Sequence, residues 1–202
     1  MKDLETLISK AEALIFDCDG TLVDTPALYA KAWQEAFRNA GAEMRPEWYL
    51  ERAGLSEQVL MEAFENEFGV TLDREQMVAD CRSYVQRNIG HVEEISAVGD
   101  IARRHKGQKP IAVASGGPVT AVLPSLEATN LLNLFDTVVT VEDVSHPKPA
   151  PDLFLEAARR LGVDPAVCLV FEDSPQGIEA AQKAGMQVVD VNEMPKQKAL
   201  TL

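Results

Sequence analysis

The sequence predicts an α/β protein: a parallel sheet flanked by helices, with a helical bundle inserted after the first strand. Three observations carry this. Short apolar runs recur and each breaks off into polar residues; helix-sized segments with start signals lie between them; and residues 26–90 show apolar positions at helical spacing with no strand pattern. A chain of 202 residues, 46% hydrophobic and 25% charged, holds one large domain, or a core with a smaller one inserted in it.

The first run, Ala13-Leu14-Ile15-Phe16, is partly β-branched and is cut off by Asp17-Cys18-Asp19-Gly20-Thr21, which suits a buried strand entering a turn. In the insert, Tyr29, Trp33, Ala36, Phe37 and Ala40 form one stripe. Leu60, Ala63, Phe64 and Phe68, with Glu67 as an exception, form a second, and Met77, Cys81, Tyr84, Val85 and Ile89 a third. These aromatic stripes read as bundle core rather than a ligand box. Breakers at Gly41, Pro46, Gly54, Gly69 and Gly90 divide the block into about four helices. The expected domains are therefore 1–25 with 91–202 for the sheet, and 26–90 for the insert. Beyond it, Ile111–Ala114 precedes Ser115-Gly116-Gly117, with Pro118 opening a helix, and Thr137–Val141 precedes an acidic loop. Pro151 before Asp152 opens another helix, Ala166–Phe171 runs into Glu172-Asp173, and Ser174-Pro175 supplies an N-cap and a first helical residue. Val188–Val191 is a fifth strand, and Asn192–Leu202 has no clear pattern, reading as a short tail or a packed closing segment.

Charge narrows the function. With 19 basic and 32 acidic residues the net charge is −13, so the mean field repels nucleic acids and anionic membranes. Three cysteines, Cys18, Cys81 and Cys168, cannot all pair and lack metal-ligand spacing, which predicts reduced, buried thiols in a cytoplasmic protein. No basic segment followed by a long apolar core opens the sequence, and the longest apolar run is too short for a bilayer. A small phosphorylated metabolite stays compatible with this charge as a partner, because a local cation and a few backbone N–H groups overrule the mean field at short range, and a monomer is the default state for a chain of this size.

In open parallel sheets, ligands bind outside the carboxyl ends of the strands. Those ends hold Asp17 and Asp19, Ser115, Lys148, and Glu172 with Asp173. Singly, these read as turn formers, an N-cap, a surface lysine and an acidic helix start. Jointly they gather carboxylates that repel one another at low dielectric unless Lys148 and a divalent cation balance them. A hard, all-oxygen donor set suits Mg2+ rather than Zn2+. His91, His105 and His146 read as structural or exposed, with His146 nearest the Lys148 loop. Asp24, with Thr25 and Pro26, reads as a helix cap or hinge.

Asp17-Cys18-Asp19-Gly20-Thr21-Leu22-Val23-Asp24-Thr25 resembles the first motif of the haloacid dehalogenase superfamily, in the form its phosphatases use. Ser115 after Ile111–Ala114 resembles the second motif, Lys148 in Lys148-Pro149-Ala150-Pro151-Asp152 the third, and Phe171-Glu172-Asp173-Ser174 the fourth, in family order across the whole chain. The chain is similar to the β-phosphoglucomutase-like branch, which implies a Rossmann-like core with an inserted four-helix cap at 26–90. The resemblance implies that Asp17 attacks phosphorus to form an aspartyl-phosphate, while Asp19, its pKa raised beside Asp17, serves as acid and then base. Ser115 with the N–H groups of Gly116 and Gly117 would hold the phosphoryl oxygens, and Lys148 would neutralise charge on Asp17 and the transferring group. Mg2+ would be held by the Asp17 carboxylate, the Asp19 carbonyl and Asp173, with Glu172 adjacent. Pro147 stands where the family commonly has glycine.

Asp19 argues for phosphoryl transfer over dehalogenation. The mutases of this branch carry a cap histidine and an arginine where this sequence has Tyr29 and Glu57, which favours plain hydrolysis over a sugar phosphomutase. A non-catalytic phosphate-metabolite sensor is the third reading, opposed by the intact acid-base aspartate. In the loop Glu51–Glu57, Arg52 and Gly54 are the candidate substrate-reading residues, with a hexose-sized sugar phosphate of the fructose 1-phosphate type as leading substrate class.

Overall fold

A computed structural model describes residues 4–52, 55 and 57–194 of the chain. In order, α1 (Leu4–Lys10) leads into β1 (Ala13–Phe16) and β2 (Val23–Asp24). Four helices follow: α2 (Pro26–Asn39), α3 (Pro46–Leu50), α4 (Glu57–Phe68) and α5 (Arg74–Asn88). The chain then runs through β3 (Glu93–Glu94), α6 (Ser96–His105), β4 (Ile111–Ala114), α7 (Val119–Ala128), β5 (Thr137–Val139), α8 (Asp152–Leu161), β6 (Cys168–Glu172), α9 (Pro175–Lys183) and β7 (Gln187–Asp190). Two compact units result, Met1–Asp24 with Glu93–Leu202, and Thr25–Val92.

In the first unit, five parallel strands lie in the order β5-β4-β1-β6-β7. Burial grades outward from the centre: every residue of β1, β4 and β6 is buried, whereas β5 and β7 are partly exposed. Centre strands covered on both faces need continuous apolar runs, which is why those three were the clearest in the sequence. Ala13 and Ile15 of β1, Ala112 and Ala114 of β4 and Val170 of β6 share a core with Leu153, Phe154, Ala157 and Ala158 of α8 and Ala180 and Ala181 of α9. The small alanines let both helices approach closely, and each large side chain buried there contributes about 1.5–3 kcal/mol. Phe16 and Phe171 stack at 4.8 Å, one residue before Asp17 and Glu172, with Phe16 directly opposite Phe171 in the β1–β6 register. That stack and the 3.0 Å bond from Asp17 N to the Phe171 carbonyl fix the two strand ends against each other.

Several boundaries differ from the sequence reading. Strand β5 stops at Val139, because Thr140 caps a 3-10 turn over Val141–Asp143. Pro165–Val167 forms another such turn, so β6 begins at Cys168 rather than Ala166 and extends to Glu172; β7 is displaced one residue, to Gln187–Asp190. The antiparallel pair β2 and β3, Val23 opposite Glu94, was not foreseen. Two-residue strands show no alternation to read.

The second unit is helical. Its core joins Trp33 and Phe37 of α2, Trp48 of α3, Leu60, Met61 and Phe64 of α4, and Met77, Cys81 and Val85 of α5. Rings pack at 4.1 Å between Phe37 and Phe64 and edge-on at 5.2 Å between Trp48 and Phe64. Ala40 is exposed beyond the end of α2, and Phe68 is 48% exposed while still packing on Phe64. The polar exception in the α4 stripe has a partner, since Glu67 Oε2 accepts the Trp48 indole N–H at 2.8 Å. All three cysteines are buried free thiols. No helix among the described residues is long and apolar enough to cross a membrane.

Candidate active site

Because all five strands of the sheet are parallel, their carboxyl ends lie along one edge, and the predicted residues follow them there. Asp17 follows β1 and is 5% exposed, Ser115 follows β4 and is fully buried, and Glu172 closes β6 at 1% exposure. The third element is the loop between β5 and α8, which sends in Lys148 with its side chain only 10% exposed. Its Nζ donates to Asp17 Oδ1 at 2.5 Å and to Glu172 Oε2 at 2.6 Å, and lies 4.9 Å from the Phe154 ring centre. The Lys148–Pro149 peptide is cis.

Glu172 is heavily engaged. Its Oε1 accepts from Asp173 N at 3.1 Å, Ser174 N at 3.0 Å and Ser174 Oγ at 2.9 Å. Asp173 has a different partner: the buried Thr21 hydroxyl donates to its Oδ1 at 3.0 Å. Asp17, Glu172 and Asp173 each offer a carboxylate oxygen within 4.8 Å of the others. Ser115 Oγ donates to Asp19 Oδ2 at 3.3 Å and accepts from Gly117 N at 3.0 Å.

Electrostatics follow from two buried carboxylates, Asp17 and Glu172, that share one ammonium, with the half-buried Asp173 beside them. Burial opposes the Lys148 charge, but Asp17 and Glu172 outweigh it and hold the ammonium above its ordinary range. Burial likewise opposes ionisation of Glu172, yet Lys148 and the Ser174 bonds prevail and keep it below the usual carboxylate value. What Lys148 spends on Glu172 is not available to the others. Burial and the Glu172 charge push Asp17 well up, and the same two causes raise Asp173 to about 7. The site therefore carries more carboxylate than its own cation balances, and its donors are all oxygen. That set fits a hard divalent ion such as Mg2+ and offers nothing that Zn2+ prefers.

Thus Asp17, Lys148, Glu172 and Asp173 form one cluster of bonds and close carboxylates, Asp19, Ser115 and Gly117 form a second set of bonds, and the Asp19 charge adds to the upward push on Asp17. Gly116 is exposed in the turn after β4. Arg52 belongs to the helical unit and is tied down there: its guanidinium lies 4.2 Å from the Trp48 ring centre, donates to the Trp48 carbonyl at 3.0 Å and reaches Glu67 at 3.2 Å. Gly54 lies outside the described residues. Glu57, at the mutase arginine position, takes a two-point bond from Arg82 at 3.1 and 2.9 Å. His146 is 74% exposed and bonds Asp152 at 3.0 Å, and Asp24 is exposed on β2. Thr25 stands at the N-cap of α2 without a side-chain cap bond.

Sequence reasoning passed over Thr21 and Gly177; it read Ser174 as the N-cap that it is, but not the bond that its hydroxyl donates to Glu172. Gly20 was read only as a turn residue; its φ is +86°, and a Cβ there would meet Asp173 Oδ2 at 2.3 Å. For Gly177 there was one signal, a glycine in the first turn of a helix, where propensity disfavours it.

The family model for haloacid dehalogenase-like hydrolases matches residues 14–191. A fructose-1-phosphate phosphatase of Escherichia coli strain K12 is 34% identical over 178 residues, covering 88% of this chain and 95% of its own. A 6-phosphogluconate phosphatase from the same strain is 30% identical over 184 residues, covering 90% and 82%. Among solved structures, a putative β-phosphoglucomutase from Thermotoga maritima superposes with a TM-score of 0.67 at 26% identity, covering 88% of this chain and 83% of its own.

Proposed function

The chain belongs to the haloacid dehalogenase-like hydrolases and is a phosphatase of that family; from that premise we propose that it hydrolyses a small sugar phosphate through an aspartyl-phosphate on Asp17. The observation that carries this reading is the Lys148 ammonium, buried between Asp17 at 2.5 Å and Glu172 at 2.6 Å. An ammonium so placed neutralises a carboxylate nucleophile and the phosphoryl group that it attacks.

Asp17 attacks phosphorus and the sugar alkoxide departs. Asp19, oriented by the Ser115 hydroxyl, gives the alkoxide its proton and later takes one from the water that opens the acyl phosphate. Ser115 and the turn Gly116-Gly117 bind the phosphoryl oxygens, the Gly117 N–H leaving its present bond to Ser115 Oγ. Asp17 and Asp173 would hold Mg2+, with the Asp19 carbonyl as a further donor and Glu172 retained by Lys148 and Ser174. When bound, the ion supplies charge neutralisation on the phosphoryl oxygens and restrains the two carboxylates.

A hexose-sized sugar phosphate, of the fructose 1-phosphate kind, is the substrate class supported by the two phosphatase relatives named above. Arg52 and Gly54 are the residues proposed to read the sugar. Release of inorganic phosphate across a panel of phosphomonoesters, with and without EDTA, tests the proposal. Release that needs metal, Asp17 and Asp19 is the expected result; full turnover by the D17N variant would overturn it.

A further inference from the structure

We infer that Ser174 and Gly177, in the first turn of α9, are positioning residues that fix Glu172 and, through it, the Lys148 ammonium. This rests on the assignment of Lys148 to phosphoryl transfer. The Ser174 hydroxyl is held at both ends: its proton goes to Glu172 Oε1 at 2.9 Å, and its lone pair accepts Gly177 N–H at 3.1 Å. With the backbone N–H groups of Asp173 and Ser174, this gives Oε1 three donors, enough to set the plane of the carboxylate. The other oxygen then has one direction left, and it meets Lys148 at 2.6 Å.

Gly177 closes the arrangement from the opposite side. A Cβ at this position would stand 1.9 Å from Glu172 Oε2 and 2.0 Å from its Cδ, so the carboxylate packs directly on the helix backbone. Helix α9 thus does two things with one turn. It caps itself through Ser174 and its amide end favours the negative charge that anchors Lys148. Losing the hydroxyl leaves Oε1 with two donors and frees Glu172 to rotate. Lys148 then slackens over Asp17, where charge placement matters most in the transition state.

Three variants test this on the whole chain. S174A lowers kcat by about 10- to 100-fold with KM within about twofold, as loss of an outer partner does at comparable sites, and S174T recovers most of the loss. D73A removes the N-cap of α5, where Asp73 Oδ1 accepts Gln76 N–H at 3.1 Å; it costs stability in the same way and leaves kcat alone. Equal losses of kcat in S174A and D73A, or none in S174A, overturn the inference. Should S174A fail to fold, S174C takes its place, keeping the volume while weakening the donor.

A second readout does not depend on turnover. The Lys148 ammonium, assigned by its loss in K148M, gives a slowly exchanging 1H–15N signal in the wild type and S174T, broadened in S174A and G177A. Absence of that signal in the wild type, or its persistence in S174A, contradicts positioning through Glu172. If the wild type releases no phosphate from any ester while the ammonium signal behaves as stated, it is the functional reading that fails and not the positioning.

Discussion

Gly20 does two jobs, and only one of them is visible in sequence. A glycine after Asp17-Cys18-Asp19 announces a turn, and the φ of +86° bears that out. The second job needs the fold: Asp173 comes from a strand end more than 150 residues away and sits where a Cβ would be, 2.3 Å from Oδ2. The same holds for Thr21, whose hydroxyl reads as an ordinary turn residue until Asp173 is found 3.0 Å away. Titratable groups at strand ends were legible because chemistry selects them; the groups that orient them are neutral and look like any loop. G20A is expected to displace Asp173 and weaken Mg2+ binding by about 10- to 100-fold, read by calorimetric titration. An unchanged dissociation constant would remove Asp173 from the metal site. At the nucleophile, D17N is expected to abolish phosphate release while leaving the circular dichroism spectrum and thermal midpoint near those of the wild type.

Among the elements, legibility follows burial. β1, β4 and β6 are covered on both faces, so their runs were unbroken and their positions predictable. The ends were not, because 3-10 turns at Val141–Asp143 and Pro165–Val167 use apolar residues that a strand would also accept. In the helical unit the stripes of α2, α4 and α5 pointed to the right core, but Glu67 made sense only once the Trp48 indole was seen to need an acceptor. Phe64 is the centre of that core, in ring contact with Phe37, Trp48 and Phe68. F64A should cost about 3–5 kcal/mol in urea denaturation. A loss below about 1 kcal/mol would mean that the aromatic cluster collapses around the gap and is not what holds the bundle together.

For the molecule as a whole, two carboxylates move stability with pH in opposite directions. Glu156, bonded by Arg159 and Arg160, is held down to about 2 from 4.5; its contribution is present above about 4.5 and is lost as pH falls toward 2. Asp173 runs the other way. Its pKa rises from 3.8 to about 7, so the metal-free fold holds this proton more tightly than the unfolded chain does, and stability declines as pH rises from about 4 through 7. A bound cation takes the proton's place. The gain in thermal midpoint on adding Mg2+ is therefore expected to be larger at about pH 7.5 than at about pH 5; a gain independent of pH would separate the ion from Asp173. The central claim is chemical, that phosphate passes through Asp17, and one measurement reaches it most directly. Rapid acid quench of the enzyme turning over a sugar phosphate, followed by proteolysis and mass spectrometry, is predicted to find the mass of one phosphoryl group on the peptide carrying Asp17, and none in D17N. Steady release of phosphate with that peptide unmodified, or the phosphoryl group on another residue, would contradict the account.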